Sequence, residues 1–235
     1  EMPQLIGGTT PAATTAARQL FEKVAPEIVE LPPMEAEFVK LFDNCYRYIE
    51  FAISNEFFMI ANAAGADYRR ILDGMRRNYP RAKDMPSAGF AAGPCLFKDT
   101  MQLAAFASNR FNLGHSAMLV NEGLVLYVIE RLRERHPLNE MTVGLLGMAF
   151  KADSDDTRAS LSYKMKKELA LHAAGVLTTD PHVTDDADLR PLDEVLADSD
   201  VLVLCVPHTA YAGLDTGDTP VVDIWDFLDT ESPIL

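Results

Sequence analysis

The sequence predicts an α/β fold with a parallel sheet, and three observations support this. From residue 139 onward, short apolar runs typical of buried strands alternate with stretches typical of helices. Before residue 139, apolar side chains recur every three or four residues over two unusually long stretches. The first 33 residues contain a strand, a helix and a second strand. The sequence therefore divides into three predicted segments, residues 1–33, 34–138 and 139–235.

The first segment is predicted to be one βαβ unit. A strand is expected near residues 3–6, a helix over about 11–24 and a strand near 27–31. Two parallel strands cannot cover both of their faces and normally belong to a larger sheet. We therefore expect residues 1–33 to be the residual part of a larger domain whose start is missing.

The second segment is predicted to be helical. Residues 34–63 form one apolar pattern without Pro or Gly, which at about 1.5 Å per residue gives a helix of roughly 45 Å. A second long helix is expected over about 115–135. Residues 65–99 contain several prolines and glycines and are expected to be irregular, whereas 96–107 have a helical composition. Helices this long are expected to bridge domains or to form a homodimer interface.

The third segment is predicted to be Rossmann-like. Its strands are expected at 142–147, 176–180, 201–206 and 220–225, with helices over 158–174 and 192–197 and a helical turn after Pro207. Asp156 or Thr157 should begin the first of these helices and Gly175 should end it. Right-handed crossovers between such strands give a parallel sheet that binds ligands at the carboxyl ends of its strands.

The composition is that of a globular protein that acts on small molecules. Of the 235 residues 48% are hydrophobic, and the mean hydropathy is −0.01, which excludes disorder. No apolar run reaches about 18 residues and the first residues lack a signal-peptide pattern, so we expect a cytoplasmic protein. Three scattered cysteines give neither a disulfide framework nor a CxxC zinc site. The net charge of −14 opposes binding to nucleic acid or to anionic membranes.

Cys95 lies in the first motif that could carry chemistry. Gly93 and Pro94 interrupt the chain just before Cys95, which is thereby placed near a helix N-terminus, where free N–H groups favour a thiolate. Lys98 and Asp99 follow three and four residues later, on the same side of the first turn. Cys95 is either a nucleophile with a cation and a carboxylate beside it, or an inert loop cysteine.

Lys40, Asn44 and Asn55 form a polar stripe on the first long helix. Residues so aligned usually face water. The alternative is that the helix presents an ammonium and an amide to an oxyanion. Cys45, on the apolar seam of the same helix, and Cys205, in an apolar strand, are interpreted as structural.

Residues 144–158 form the third motif. The glycines of this loop do not complete G-x-G-x-x-G, so we do not place NAD there. Phe150 and Lys151 follow the strand, where a ring could stack on a base and an ammonium could meet a phosphate. Asp180 could contact a ribose, although a plain loop carboxylate is the simpler interpretation. His208 and Tyr211 follow the third strand at the ligand-binding edge.

The three motifs AEFVKLFDNCYR, AGPCLFKDT and GLLGMAFKADSDDTRASLS occur in this order and are followed by DVLVLCVPHTAY and VVDIW. In order and spacing they resemble the nucleotide-sugar dehydrogenases, the family of UDP-glucose, UDP-N-acetylhexosamine and GDP-mannose 6-dehydrogenases. The resemblance covers almost the whole chain. It implies a two-step oxidation of a sugar C6 alcohol to a carboxylate with two NAD+ molecules.

The resemblance also implies roles for individual residues. Cys95 matches the nucleophile, which captures the aldehyde as a thiohemiacetal and then becomes a thioester. Lys40 and Asn44 match residues that stabilise the oxyanion, and Asp99 matches a carboxylate that helps to activate water. The residues assigned to the substrate are Phe90, Gly93, Phe150, Lys151 and Arg81, an arginine that resembles one reaching the neighbouring subunit's substrate. Those assigned to NAD are Lys98 and Arg158.

Two departures from the family pattern limit these expectations. The glycines that usually precede the cysteine are replaced by the run Ala91, Ala92, Gly93, Pro94. The amino-terminal G-x-G-x-x-G and the catalytic glutamate have no counterpart. We therefore expect the carboxyl-terminal part of a dehydrogenase that binds a nucleotide sugar, with UDP favoured as the nucleotide, but oxidises nothing alone. The alternatives are a non-catalytic nucleotide-sugar-binding or dimerisation module, and NAD binding by the acidic half itself.

Overall fold

The structure is a computed structural model that describes residues 2–228. The chain divides into two compact units, Glu1–Arg47 and Tyr48–Leu235. One long helix, α2 (Pro33–Ala63), begins in the first unit and ends in the second, as its apolar pattern predicts. No helix in residues 2–228 is both long and apolar enough to cross a membrane.

The first unit contains the predicted βαβ motif. Strands β1 (Gln4–Ile6) and β2 (Ile28–Glu30) pair in parallel and are joined by helix α1 (Pro11–Phe21). The helix begins where the Thr10 hydroxyl accepts a hydrogen bond from the Ala13 N–H at 3.2 Å, a typical N-cap.

The second unit combines helices with one parallel sheet of four strands in the order β4-β3-β5-β6. The strands are β3 (Thr142–Leu146), β4 (Gly175–Thr179), β5 (Val201–Leu204) and β6 (Val221–Val222). The helices are α3 (Tyr68–Arg76), α4 (Leu96–Phe106), α5 (Asn112–Arg135), α6 (Leu161–Leu169) and α7 (Leu192–Asp198). Short 3-10 turns occur at Leu138–Glu140 and Thr209–Tyr211. The predicted Rossmann-like α/β class is confirmed.

Both faces of this sheet are covered, as a parallel sheet requires. On one face, Val128 and Leu132 of α5 and Met165 of α6 pack in the same hydrophobic cluster as Val143 and Val203. On the other face, Val195 of α7 packs in a second cluster with strand residues.

The sheet register brings three loops to one edge. Leu146, the last residue of β3, lies opposite Thr179 of β4 and Leu204 of β5. The segments that follow these three residues therefore leave the sheet side by side, at the edge where parallel sheets bind ligands.

Two local predictions are wrong. Residues 65–99 are not irregular throughout, because they contain α3, which is capped by the Asp67 carboxylate on the Arg70 N–H. Only Tyr68 and Leu72 of α3 are buried, so its apolar pattern is too sparse to stand out in the sequence. The helix predicted over 158–174 is shorter at both ends.

That helix, α6, begins after Ser160, whose hydroxyl accepts from the Ser162 N–H at 3.2 Å, rather than at Asp156 or Thr157. It ends at Leu169. Gly175 is therefore not its C-cap. Gly175 is instead the first residue of β4 and pairs with Thr142.

Candidate functional site

Cys95 is the N-cap residue of α4, as the preceding Gly-Pro pair predicts, and its side chain is exposed. The Asp99 N–H donates to the Cys95 carbonyl at 2.8 Å, which forms the first turn of α4. The Asp99 carboxylate is 9% exposed and pairs with the Lys98 ammonium at 3.2 Å. A thiol, a carboxylate and an ammonium thus belong to a single helical turn.

A buried amide holds the loop that leads to Cys95. The Asn55 side chain accepts from the Gly89 N–H at 2.8 Å and donates to the Gly89 carbonyl at 3.0 Å. It also donates to the Asn121 side-chain oxygen at 2.9 Å. The Trp225 ring lies so close to Gly89 that a Cβ atom there would come within 2.3 Å of it. Only glycine fits, and the loop is fixed from two sides.

The sequence did not predict this role of Asn55. It was expected to face water with Lys40 and Asn44, but Asn55 is 0% and Asn44 4% exposed. The partners of Asn55 are the backbone of a glycine 34 positions away and an asparagine 66 positions away, which no local pattern reveals.

Gly93 joins the Cys95 loop to the loop after β3. Its φ of +107° belongs to the region that favours glycine, and a Cβ atom there would lie 2.5 Å from the Phe150 ring. The Gly93 N–H donates to the Ala159 carbonyl at 3.3 Å. Two of the predicted substrate residues, Gly93 and Phe150, therefore lie in contact.

Cations surround this junction. The Lys151 ammonium lies 5.6 Å from the centre of the Phe150 ring, a cation–π distance. The Arg158 guanidinium donates hydrogen bonds to both carboxylate oxygens of Asp156, which lowers the Asp156 pKa to about 2. The same pair raises the pKa of Arg158. The hydrogen bond from the Gly93 N–H to the Ala159 carbonyl brings Arg158, the residue before Ala159, close to the Cys95 loop.

Asp180 lies at the end of β4, where the sequence left a ribose contact open. Its carboxylate is 0% exposed and accepts five hydrogen bonds within the protein. The donors are the backbone N–H groups of Met148, Ala149, His182 and Val183 and the His208 Nε2–H. Burial by itself would raise the pKa of Asp180, but these hydrogen bonds outweigh it and hold the pKa below the ordinary value.

His208 and Tyr211, expected at the ligand-binding edge, are also buried there. The His208 Nδ1 accepts from the Asp153 N–H at 3.0 Å, and the Tyr211 hydroxyl donates to the Thr179 carbonyl at 3.4 Å. Asp153, His182 and His208 offer possible metal-ligand atoms within 4.8 Å of one another. Both ring nitrogens of His208 are already hydrogen-bonded within the protein, which leaves His208 no free nitrogen for a metal ion.

Four predicted residues remain, Lys40 and Asn44 in the first unit and Phe90 and Arg81 in the second. In the first unit, the Lys40 ammonium donates to the Asn44 side-chain oxygen at 3.1 Å, one turn along α2. Phe90 is 3% exposed and belongs to the hydrophobic core. Arg81 is exposed and makes no hydrogen bond or ion pair with any other residue of 2–228.

Two models of the UDP-glucose/GDP-mannose dehydrogenase family match the chain. The central-domain model matches residues 34–123, and the UDP-binding-domain model matches residues 144–230. The second match begins within β3, contains β4 to β6 and includes the edge that carries Phe150, Lys151 and His208.

Curated relatives match over nearly the whole chain. An NDP-N-acetyl-D-galactosaminuronic acid dehydrogenase of Ralstonia solanacearum is 27% identical over 92% of this chain and 53% of its own length. A UDP-N-acetyl-D-mannosamine dehydrogenase of Methanocaldococcus jannaschii is 26% identical over 93% of this chain and 51% of its own length. The chain thus spans about half the length of these relatives.

Solved structures show the same fold. The UDP-D-ManNAc dehydrogenase of Pyrococcus horikoshii superposes with a TM-score of 0.87 at 24% identity, over 98% of this chain and 58% of that one. A UDP-glucose dehydrogenase of Pyrobaculum islandicum superposes with a TM-score of 0.84 at 23% identity, over 99% of this chain and 58% of that one.

Proposed function

The chain belongs to the UDP-glucose/GDP-mannose dehydrogenase family, and from this premise we propose that it supplies the nucleotide-sugar site and the nucleophile of an NAD-dependent sugar 6-dehydrogenase. The reaction oxidises the C6 alcohol of the sugar to a carboxylate. The whole reaction is proposed for a protein of the relatives' length, of which this chain spans about half.

The observation that carries the proposal is the contact between Gly93, two residues before Cys95, and Phe150, which follows β3. A nucleotide bound at the β3 edge against Phe150 and Lys151 would have its sugar directed toward Cys95. The Lys151 ammonium is exposed and suited to a diphosphate, and the Phe150 ring offers a face for stacking. UDP is the nucleotide that the matched UDP-binding domain favours.

Cys95 carries the covalent chemistry in this proposal. C6 first loses a hydride and its hydroxyl proton, which gives an aldehyde. The Cys95 thiol adds to the aldehyde carbon, and the carbonyl oxygen takes a proton, which gives a thiohemiacetal. Loss of a hydride from that carbon and of the hydroxyl proton gives a thioester. Water then adds to the thioester carbonyl, the C–S bond breaks, and the carboxylate and the Cys95 thiol are released. Asp99 accepts the proton of that water.

Lys40 and Asn44 are proposed to stabilise the oxyanion of the carbonyl addition steps. Their hydrogen bond aligns an ammonium and an amide on one face of α2, which is the donor set that a developing oxyanion requires. The side chains belong to the first unit of the chain.

Two NAD+ molecules, bound one after the other, would each accept one hydride. Residues 2–228 contain no G-x-G-x-x-G loop, but they offer two exposed cations beside the nucleophile, Lys98 and Arg158. These fit a contact with the negatively charged edge of the dinucleotide rather than a complete site for it. We assign Lys98 and Arg158 to that contact.

Self-association is proposed through the long helices. Within the second unit, six large apolar side chains of α2 and α5 are between 41% and 67% exposed. They are Ile53, Phe57, Ile60, Leu113, Leu119 and Leu126. Large exposed apolar surfaces of this kind mark protein contacts, and a homodimer is the partner we propose. Sedimentation velocity tests this proposal by comparing the self-association of the wild-type chain with that of an Ile60→Glu variant.

Protection of Cys95 tests the proposed site. We expect UDP-glucose or UDP-N-acetylmannosamine to slow alkylation of Cys95 by iodoacetamide in the wild-type chain, whereas free glucose does not. The Lys151→Ala variant should lose this protection while its unprotected alkylation rate stays the same. Equal alkylation rates with and without any sugar nucleotide would contradict the proposal.

A further inference from the structure

We propose that His208 is a positioning residue for the nucleotide-binding loop, which we define as residues 147–157. His208 and Asp180 together bracket Phe150 and Lys151 with hydrogen bonds on both flanks. The inference rests on the proposed function, because it concerns how the loop is presented to a nucleotide.

The first flank is held by Asp180. One carboxylate oxygen, Oδ2, accepts the N–H groups of Met148 at 2.6 Å and Ala149 at 3.0 Å, the two residues immediately before Phe150. The other oxygen, Oδ1, accepts hydrogen bonds from the N–H groups of His182 and Val183. These bonds hold the carboxylate against the backbone segment that follows Asp180. The start of the loop is thereby tied to the end of β4.

The second flank is held by His208. Its Nδ1 accepts the N–H of Asp153, two residues after Lys151, at 3.0 Å. Asp153 has a φ of +53°, a conformation that a non-glycine residue keeps only when its surroundings hold it. The Asp153 carboxylate is held as well, since its Oδ1 accepts the Thr209 N–H at 2.8 Å.

His208 connects the two flanks in one tautomer. Because Nδ1 accepts a hydrogen bond from an N–H group, it carries no proton, and the proton of the neutral ring is on Nε2. Nε2 then donates to Asp180 Oδ2 at 3.1 Å, the oxygen that also holds Met148 and Ala149. Both side chains are 0% exposed, so water does not compete for these bonds. Phe150 and Lys151 are therefore carried by a loop that is fixed just before and just after them.

Two substitutions separate the roles of the two ring nitrogens. The side-chain oxygen of asparagine in His208→Asn can replace Nδ1 as the acceptor for the Asp153 N–H. The amide nitrogen of glutamine in His208→Gln can replace Nε2 as the donor to Asp180, but leaves the Asp153 N–H without an acceptor. His182→Asn is the matched control, because the His182 ring lies beside the network, 4.9 Å from the His208 ring centre and 3.6 Å from Asp153 Oδ1, but makes none of the hydrogen bonds to the loop backbone.

The experiment measures UDP affinity by calorimetry and protection of the Asp153 amide by hydrogen exchange in each variant. We expect the Asp153 amide to stay protected in wild type, His208→Asn and His182→Asn, and to exchange rapidly in His208→Gln. UDP affinity should fall about tenfold in His208→Gln, the change expected from one lost hydrogen bond, and by clearly less in His208→Asn. In wild type, ¹⁵N spectra of the imidazole should show an unprotonated Nδ1.

Other results overturn the inference in different ways. Equal losses of affinity in His208→Asn and His208→Gln, or none in either, would mean that the Nδ1 bond does not position the loop. A protonated Nδ1, or Zn²⁺ binding that requires the His208 ring and removes the protection of Asp153, would show a different role for His208. Absence of UDP binding by the wild-type chain would overturn the proposed function together with this inference, whereas normal wild-type binding with unaltered variants would overturn the inference alone.

Discussion

Replacement of Gly93 by alanine should disturb both the stability of the chain and its nucleotide site. The φ of Gly93 is +107°, where a residue with a Cβ atom is strained by about 1–3 kcal/mol. The new Cβ would also lie 2.5 Å from the Phe150 ring, well inside contact distance. Forcing such a ring out of its place costs roughly a further 1–3 kcal/mol.

Gly213→Ala is a matched control for this substitution. Gly213 also has a positive φ, +70°, but a Cβ atom there would meet nothing within 4 Å. Its cost is therefore the backbone contribution alone, about 1–2 kcal/mol. Both substitutions reduce the freedom of the unfolded chain equally, so this contribution cancels in the comparison.

The assay is urea unfolding of the two variants and the wild type, followed by titration with UDP. We expect the free energy of unfolding to fall by about 2–6 kcal/mol in Gly93→Ala and by clearly less in Gly213→Ala. Because Phe150 must move, UDP affinity should fall in Gly93→Ala and remain at the wild-type value in Gly213→Ala. Two variants with the same stability and the same affinity would refute the argument that Gly93 positions Phe150.

Three further predictions follow from burial and hydrogen bonding. Iodoacetamide should label Cys95 in the folded chain but label Cys45 and Cys205 only after unfolding. Cys45 and Cys205 are at most 3% exposed, and burial raises the pKa of Cys205 to about 12. Rapid labelling of all three cysteines in the native protein, measured by mass spectrometry, would contradict this prediction. Asn55→Ala should lower the free energy of unfolding by roughly 3–6 kcal/mol, because it leaves the Gly89 N–H, the Gly89 carbonyl and the Asn121 oxygen without their partner. A decrease below about 1 kcal/mol in urea unfolding would be inconsistent with these three hydrogen bonds. The folded-state pKa of Asp180 is lowered, so the stability that its carboxylate contributes is present above the unfolded-state pKa of about 4 and is lost as the pH falls below that value. Asp180→Asn should be less stable by at least about 3 kcal/mol at pH 7, but its free energy of unfolding should fall less than that of wild type between pH 7 and pH 3. Equal pH slopes of the free energy of unfolding in the two proteins would argue against this role of Asp180.

Much of this structure could be predicted because the signals are local. The apolar pattern of residues 34–63 predicts α2 almost to the residue, and the apolar runs of the third segment predict all four strands of the sheet. The Gly-Pro pair before Cys95 predicts the start of α4, because it interrupts the chain where a cap is needed.

The features that could not be predicted depend on residues far apart in the sequence. Asn55 bonds Gly89 across 34 positions, and Asp180 bonds the Met148 N–H across 32, so neither partner is visible in a local pattern. The end of α6 was also misplaced, because Gly175 pairs with a neighbouring strand instead of ending the helix. A polar residue on a helix therefore cannot be assigned to solvent before the packing around it is known.

Binding of a nucleotide sugar at the β3 edge is the central claim, and calorimetric titration of the chain tests it most directly. The titrants are UDP-glucose, UDP-N-acetylglucosamine, GDP-mannose and NAD+, with wild type, Lys151→Ala and, as a matched control, Lys167→Ala, an exposed lysine of α6. We predict that one sugar nucleotide binds wild type and Lys167→Ala equally and Lys151→Ala more weakly. Binding that is indifferent to Lys151, or binding of NAD+ with no sugar nucleotide bound, would contradict the claim.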